Sequence, residues 1–411
     1  MKVLWFSITP VATGDTREGC WINAQAALIR QFCPDIALSI AYLAEQSDKC
    51  VVDGVTCYAM KSEYPGLRGK IAKAVHDPCA EWRAIRPSVL DVIEDVHPDL
   101  ICCFGTEWPF GLVSSEVKIP VVIHMQGHWK SYLDKWRKVE PDRQLFRLHH
   151  YNPFFILRTL VRHHYERLSV QREELIMKQN RFYLGRTDWD KQLVEQFSLG
   201  ANYYHCEEAI RSVIVNAQKR WLPKEGRMQL VTISSASELK GNGFILKTAK
   251  LLKQRGVDFV WKVAGRKEIF RKFEYYTGIH HEEVNVELLG LIDAPTIVEL
   301  LSSSTAYVHT AIIDNSPNSL CEAQLMGCPV VTTPVGGIPQ LVTDGETGLF
   351  VPYDEPEELA RCLIRLHNDI ELQRELSERE KTVAHQRHDG ASIAKRLHEV
   401  YSEIIDTYNN L

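Results

Sequence analysis

Asp314 and Glu322 are two carboxylates set eight residues apart around an expected helix start. Ionised carboxylates in such a place accept hydrogen bonds from neutral hydroxyls, including those of a ribose or a hexose. Ser316 is a good N-cap, Pro317 suits the first helical position and Gly327 suits the C-terminal cap. Tyr307 to His309 and Pro329 to Thr332 read as short buried strands on either side, because apolar β-formers fill both positions of the pleat. A strand–loop–helix–strand unit points the helix's first N–H groups at the C-terminal edge of a parallel sheet, where α/β folds bind phosphorylated ligands. The plain alternative is that Asp314 caps a turn and Glu322 faces solvent.

The composition narrows the class of protein. At 411 residues the chain is too long for one ordinary core and is expected to form two domains. Apolar residues at 45% and charged residues at 25% are ordinary for a soluble enzyme, and the net charge of −5 argues against general nucleic-acid binding. No run of 18 apolar residues is present, and the short apolar run from Val3 to Phe6 is a strand rather than a signal-peptide core. The eleven cysteines include no Cys-x-x-Cys pair, so buried thiols in a reducing cytoplasm explain them better than disulfides or zinc.

The elements that must position the carboxylates alternate. Strands are expected at Val3–Phe6, Ile36–Leu43, Val51–Tyr58, Leu100–Phe104, Pro120–Met125, Phe182–Leu184 and Tyr203–Glu208, with helices at Trp21–Phe32 and Cys79–Val96. Gly14 and Gly19 lie in the loop after the first strand. Arg186 is expected to project from a strand's C-terminal end. The pattern restarts at Gln229–Ile233, followed by a loop containing Ser235 and Lys240, a helix at Gly243–Gly256, a strand at Phe259–Ala264 and Arg266 just beyond it. Such alternation predicts a parallel sheet with helices on both faces. The last helix, Ala391–Tyr408, shows its apolar residues at helical spacing and so needs a surface to pack on. Between Lys130 and Arg181 the chain carries twelve Lys and Arg against six Asp and Glu, interleaved with Trp136, Phe146, Tyr151, Phe154, Phe155, Ile156, Leu157 and Leu160. A basic helical region with an apolar stripe either packs on its own domain or lies on an anionic membrane surface.

The run Asp314-Asn315-Ser316-Pro317-Asn318-Ser319-Leu320-Cys321-Glu322 resembles the acidic pair of glycosyltransferase family 4, with Asp314 in place of the first Glu. Pro329-Val330-Val331, Gly336-Gly337 and Asp344-Gly345-Glu346-Thr347-Gly348-Leu349 continue the likeness. Gly185 to Asp190 and Tyr204 to Glu208 are similar to a subgroup found among bacterial surface-polysaccharide genes. The resemblance implies the GT-B fold, an α/β architecture of two Rossmann-like doubly wound domains facing across a cleft. The expected domains are 1–207 on the acceptor side, joined by a returning C-terminal helix at about 391–411, and 208–390 for the nucleotide sugar. It implies that Asp314 contacts the donor sugar, that Glu322 holds the nucleotide ribose, and that Asn318, Ser319 and Leu320 receive the diphosphate region. Lys240 and Gly19 are implied contacts to the donor. The family usually places an Arg where Ser235 stands, so Arg186, reaching across the cleft, is expected to supply the missing cation, with Arg266 as the alternative. A His commonly ends the strand before Gln126, and here Gln126 takes that place, with His128 two residues on.

The implied function is retaining transfer of a hexose-type sugar from a nucleotide diphosphate donor to a saccharide or lipid-linked acceptor, in polysaccharide or lipopolysaccharide assembly. No metal and no cofactor are expected, the one Asp-x-Asp, Asp188-Trp189-Asp190, lying at the start of an expected helix in the first domain. The expected place is the cytoplasm, with peripheral contact to the inner membrane as a further option. The alternatives are a nucleotide-sugar epimerase of the same fold and a catalytically silent binder of nucleotide sugar.

Overall fold

A computed structural model describes residues 1–8, 20–61, 77–234 and 237–411. They divide into two units, 1–133 with 151–209 and 388–411, and 134–150 with 210–387. The first unit holds β1 (Lys2–Ser7), β2 (Ala37–Ala44), β3 (Asp48–Val52), β4 (Val55–Lys61), β5 (Leu100–Phe104), β6 (Val121–His124), β7 (Phe182–Gly185) and β8 (Asn202–His205). They form one sheet in the order β3-β4-β2-β1-β5-β6-β7-β8. All neighbours are parallel except β3 and β4. Both faces are covered. Leu4 and Phe6 pack into one buried cluster while Val3 and Trp5 pack into the other, as the two-residue pleat requires.

The expected strand Val51–Tyr58 is in fact a hairpin. Asp53 and Gly54 both take positive φ (49° and 81°), the backbone of a two-residue turn matched to strand twist, so the chain reverses there. The expected strand Tyr203–Glu208 stops at His205. The helix Gly390–Asn409 lies in the first unit, where Ile393, Leu397, Val400, Tyr401 and Ile404 join the cluster of Val3 and Trp5. Asp389 caps its start by accepting from Ser392 N at 2.9 Å, and Trp5 Nε1 donates to Tyr401 Oη at 3.0 Å.

The second unit is a six-stranded, wholly parallel sheet in the order β11-β10-β9-β12-β13-β14. Its strands are β9 (Met228–Ile233), β10 (Phe259–Ala264), β11 (Val286–Gly290), β12 (Ala306–His309), β13 (Val330–Thr332) and β14 (Leu349–Phe350). The chain goes outward from β9 to β10 and β11, then returns to add β12 on β9's other side. The loops after β9 and β12 therefore flank the point where strand order reverses, which is where open α/β sheets bind ligands. Residues 134–150, expected with the first domain, belong to this unit. There Glu140 accepts from Tyr276 Oη at 2.9 Å and pairs with Lys272.

One buried group in this unit carries a cost. Glu380, in the helix Ile370–Arg387, is fully buried, and neither carboxyl oxygen has a partner at hydrogen-bond geometry. Burial pushes its pKa well above the ordinary range, against a weaker pull from the Val330 backbone. Below the ordinary Glu pKa of about 4.3 the folded and unfolded chains both hold this proton. Above that pH only the unfolded chain releases it, so stability is lost until the raised folded pKa is reached. Glu380→Met should therefore stabilise the second unit by about 1–3 kcal/mol. The gain should be larger at pH 8 than at pH 5 in chemical unfolding, and a pH-independent difference would contradict this assignment.

Candidate functional site

Two loops at the strand-order reversal bring Lys240 and Asp314 together. Lys240 ends the short turn Glu238–Lys240 after β9, and its Nζ bonds Asp314 Oδ2. His309, the last residue of β12, places Nε2 2.9 Å from the same oxygen. Tyr307, two residues earlier on the same strand face, sits with Oη 3.2 Å from His309 Nδ1 and donates to Ser319 Oγ at 2.8 Å. A chain of polar contacts thus runs from Lys240 through Asp314, His309 and Tyr307 to the first turn of the helix Asn318–Met326.

The backbone holds this arrangement through two glycines. Gly241 has φ +73°, and a Cβ there would lie 1.9 Å from Thr310 O. Thr310 Oγ1 in turn donates to Lys240 O at 2.8 Å, locking the two loops together. Gly336 has φ +57°, and a Cβ there would lie 1.9 Å from Asp314 O. The next residue, Gly337, donates its N–H to that oxygen at 3.0 Å. Only glycine permits both the conformation and the approach.

Charge follows from these contacts. Burial would raise the Asp314 carboxyl, but the Lys240 charge and the His309 hydrogen bond outweigh it and hold the group well below the ordinary carboxylate range. Burial, helped by the Lys240 charge, lowers His309 against the pull of Asp314. A neutral imidazole facing an ionised carboxylate carries its proton on Nε2.

Glu322 is buried in the second turn of the helix, so the solvent-facing alternative fails. Its Oε1 accepts from Arg211 Nε at 2.6 Å, while Oε2 has no partner at hydrogen-bond geometry. Burial raises its pKa, and Arg211 opposes that shift. The helix itself begins one residue later than expected. Pro317, not Ser316, is the N-cap and has extended backbone. Gly327 takes the left-handed C-cap at φ 71°, matching its expected role. Asn318 and Ser319 are half-buried in the first turn. Leu320 is fully buried in the core, and its N–H is spent on Pro317 O at 3.0 Å.

Other expected site residues lie elsewhere. Arg266 caps the helix Lys267–Thr277 beyond β10 and is exposed, at the same sheet edge as Lys240. Gly14, Gly19 and Ser235 fall outside the described residues. Arg186 follows the C-terminal end of β7, as expected. It is buried in the first unit, with Nη1 2.7 Å from Glu208 Oε2. Gln126 Nε2 donates to the other Glu208 oxygen at 2.7 Å. His124, not Gln126, neighbours the strand's true end, and its Nε2 lies 3.3 Å from Glu208 Oε1. Burial, reinforced by Arg186, drives the His124 pKa down to about 3, so the ring is neutral. His128 is a buried structural residue, with Nδ1 2.7 Å from Ser131 Oγ and Nε2 3.4 Å from Glu173 Oε2. Among the described residues no three His, Cys, Asp or Glu side chains gather as metal ligands do.

Residues 227–369 match the family model described as Glycosyl transferases group 1, and this stretch belongs to that family, as its motif implied. The amylovoran biosynthesis glycosyltransferase AmsK of Erwinia amylovora is 24% identical over 145 residues, 34% of this chain and 36% of the relative. The D-inositol 3-phosphate glycosyltransferase of an Arthrobacter strain is 29% identical over 157 residues, 35% of each chain. The chain thus spans about a third of the length of these curated relatives. Solved structures are similar over nearly the whole chain. Sucrose-phosphate synthase of Thermosynechococcus elongatus has a TM-score of 0.73 at 13% identity, covering 99% of both chains. Anabaena HepE in complex with UDP and glucose has a TM-score of 0.63 at 15% identity, covering 98% of this chain and 99% of its own. With its two parallel-sheet units, the chain has the GT-B fold.

Gly336→Ala tests how far the site depends on backbone approach. The added methyl cannot fit against Asp314 O, so the loop must shift and Lys240 must lose its alignment with Asp314. A destabilisation of about 1–3 kcal/mol is expected from the left-handed backbone alone. A melting temperature equal to wild type would show that the loop has room the geometry denies it.

Proposed function

We propose that this protein is a retaining glycosyltransferase that moves a hexose-type sugar from a nucleoside diphosphate donor to an acceptor hydroxyl without a metal ion. The observation that carries the reading is the Lys240–Asp314–His309 group beside the N-terminus of the helix Asn318–Met326. An ammonium has three donors, and Asp314 takes one of them. The others, with the helix's first N–H groups, suit a departing diphosphate that gains negative charge as the sugar bond breaks. Asp314, held ionised, suits a sugar hydroxyl, and the open Oε2 of Glu322 suits a ribose hydroxyl, with Arg211 keeping that carboxylate in place. Arg266 is assigned the cation missing at Ser235, because Arg186 is committed to Glu208.

The name of the amylovoran biosynthesis relative supports a role in polysaccharide assembly, for which lipopolysaccharide is a further option, and a UDP-type donor is in line with the HepE complex. The acceptor is assigned as a saccharide or lipid-linked saccharide. The ten described cysteines are free thiols, which supports a reducing cytoplasm. No helix among the described residues is long and apolar enough to cross a membrane.

A panel of nucleotide sugars, scored for released nucleoside diphosphate and for sugar transferred to saccharide acceptors, tests the reading. One donor should release diphosphate, Asp314→Asn should lower turnover on the order of a hundredfold or more, and Arg266→Ala on the order of a hundredfold. A changed sugar without diphosphate release would make the protein an epimerase. Binding without turnover of any donor would make it a silent homologue.

A further inference from the structure

The helix Pro153–Gln179 exposes large apolar side chains at its start. Asn152 caps it by accepting from Phe154 N at 2.9 Å, and Pro153 takes the first helical position, so the helix is well formed from its first turn. Its inner side is marked by Thr159 and Glu166, both buried. Its outer side is not what a solvated face requires. Tyr151, Phe154, Leu157, Leu160 and Val161 are all between 49% and 76% exposed. Phe154, Leu157 and Val161 stand at positions i, i+3 and i+7, so they share one stripe. Five large apolar side chains exposed within eleven residues is a contiguous patch, of the kind that marks an interaction surface.

The charges around the patch say what covers it. From Tyr151 to Tyr165 the sequence has no Asp or Glu, but it has Arg158, Arg162 and two histidines. Arg158 is exposed within the stripe itself, between Leu157 and Val161 in the next turn. Arg162 reaches Glu166 one turn on, at 3.3 Å, but a second copy of the chain pairing through this face would set the exposed Arg158 against its own copy with no carboxylate in the stripe to neutralise it. An anionic bilayer meets both features. Its headgroups take the arginines, and its acyl boundary takes Phe154, Leu157, Leu160 and Val161.

We propose that the exposed face of Tyr151–Arg162 is a membrane-docking element that lies in the interface of an anionic bilayer. The inference rests on this surface alone and does not need the transferase reading. Flotation of the full chain with phosphatidylcholine vesicles, with or without phosphatidylglycerol, tests it. The chain should float only with phosphatidylglycerol and should be released by raising salt from 0.1 M to 1 M, where the screening length falls from about 10 Å to about 3 Å. Phe154→Ser with Leu157→Ser, and separately Arg158→Glu, should each lower the bound fraction by about tenfold or more. These exposed side chains can change without disturbing the core, and unchanged circular dichroism and melting temperature confirm that each variant is folded. Failure of the folded wild type to float at low salt overturns the proposal. So does binding that ignores lipid charge, or loss of a dimer rather than of lipid binding in the Phe154/Leu157 variant.

Discussion

The partly buried pair of Lys240 and Asp314 is the constraint on which the loops after β9 and β12 depend. Two charges taken out of water are stable only when geometry and further hydrogen bonds compensate for lost hydration. The chain meets that condition from several directions. His309 adds a hydrogen bond to Asp314, Thr310 ties the Lys240 loop to the end of β12, and Gly337 fixes the Asp314 backbone. Gly241 and Gly336 make the close backbone approaches, because any side chain would collide with a carbonyl oxygen. The strand order explains why these groups meet at all. β9 and β12 are neighbours with chain excursions on opposite sides, so their following loops face one another.

The first unit handles buried charge in a related way with a different result. Glu208 accepts from both Gln126 and Arg186, with a neutral His124 alongside. Glu208 ties Gln126 to Arg186, so the cluster consolidates the ends of β6 and β7 and the chain after β8, while the buried His124 Nε2 has no partner at hydrogen-bond geometry. In the second unit, Lys240 retains donors and Glu322 retains an oxygen without a hydrogen-bond partner among the described residues. What marks the second-unit group as the candidate binding site is its place at the reversal of strand order.

Much of this was legible in residue patterns, and the misses have physical causes. Fully buried parallel strands such as Leu100–Phe104 and Ala306–His309 announce themselves by apolar β-formers on both faces. Asp314 and Glu322 could be picked out because they flank a punctuated helix start. The hairpin at Asp53-Gly54 was signalled by its Asp-Gly turn, yet apolar residues on both sides merged the two strands into one. The Arg186–Glu208 pairing was not legible, because a strand-end position says nothing of which buried carboxylate lies within reach, and Glu208 is twenty-two residues away. Arg211 and His309 were missed for the same reason. Arg211 meets Glu322 across 111 residues of sequence, and His309 reads locally as the end of a strand. A polar residue closing an otherwise apolar buried strand was the one available signal for His309.

The account stands on Lys240 being a diphosphate ligand whose position Asp314 fixes. The most direct measurement is calorimetric affinity for a nucleoside diphosphate and for its monophosphate, in wild type and in Lys240→Met. Loss of a charge-assisted hydrogen bond, about 1.5–3 kcal/mol, predicts that the advantage of diphosphate over monophosphate shrinks by tenfold or more. Monophosphate affinity should change little. An undiminished preference for diphosphate in a folded Lys240→Met protein would contradict the account.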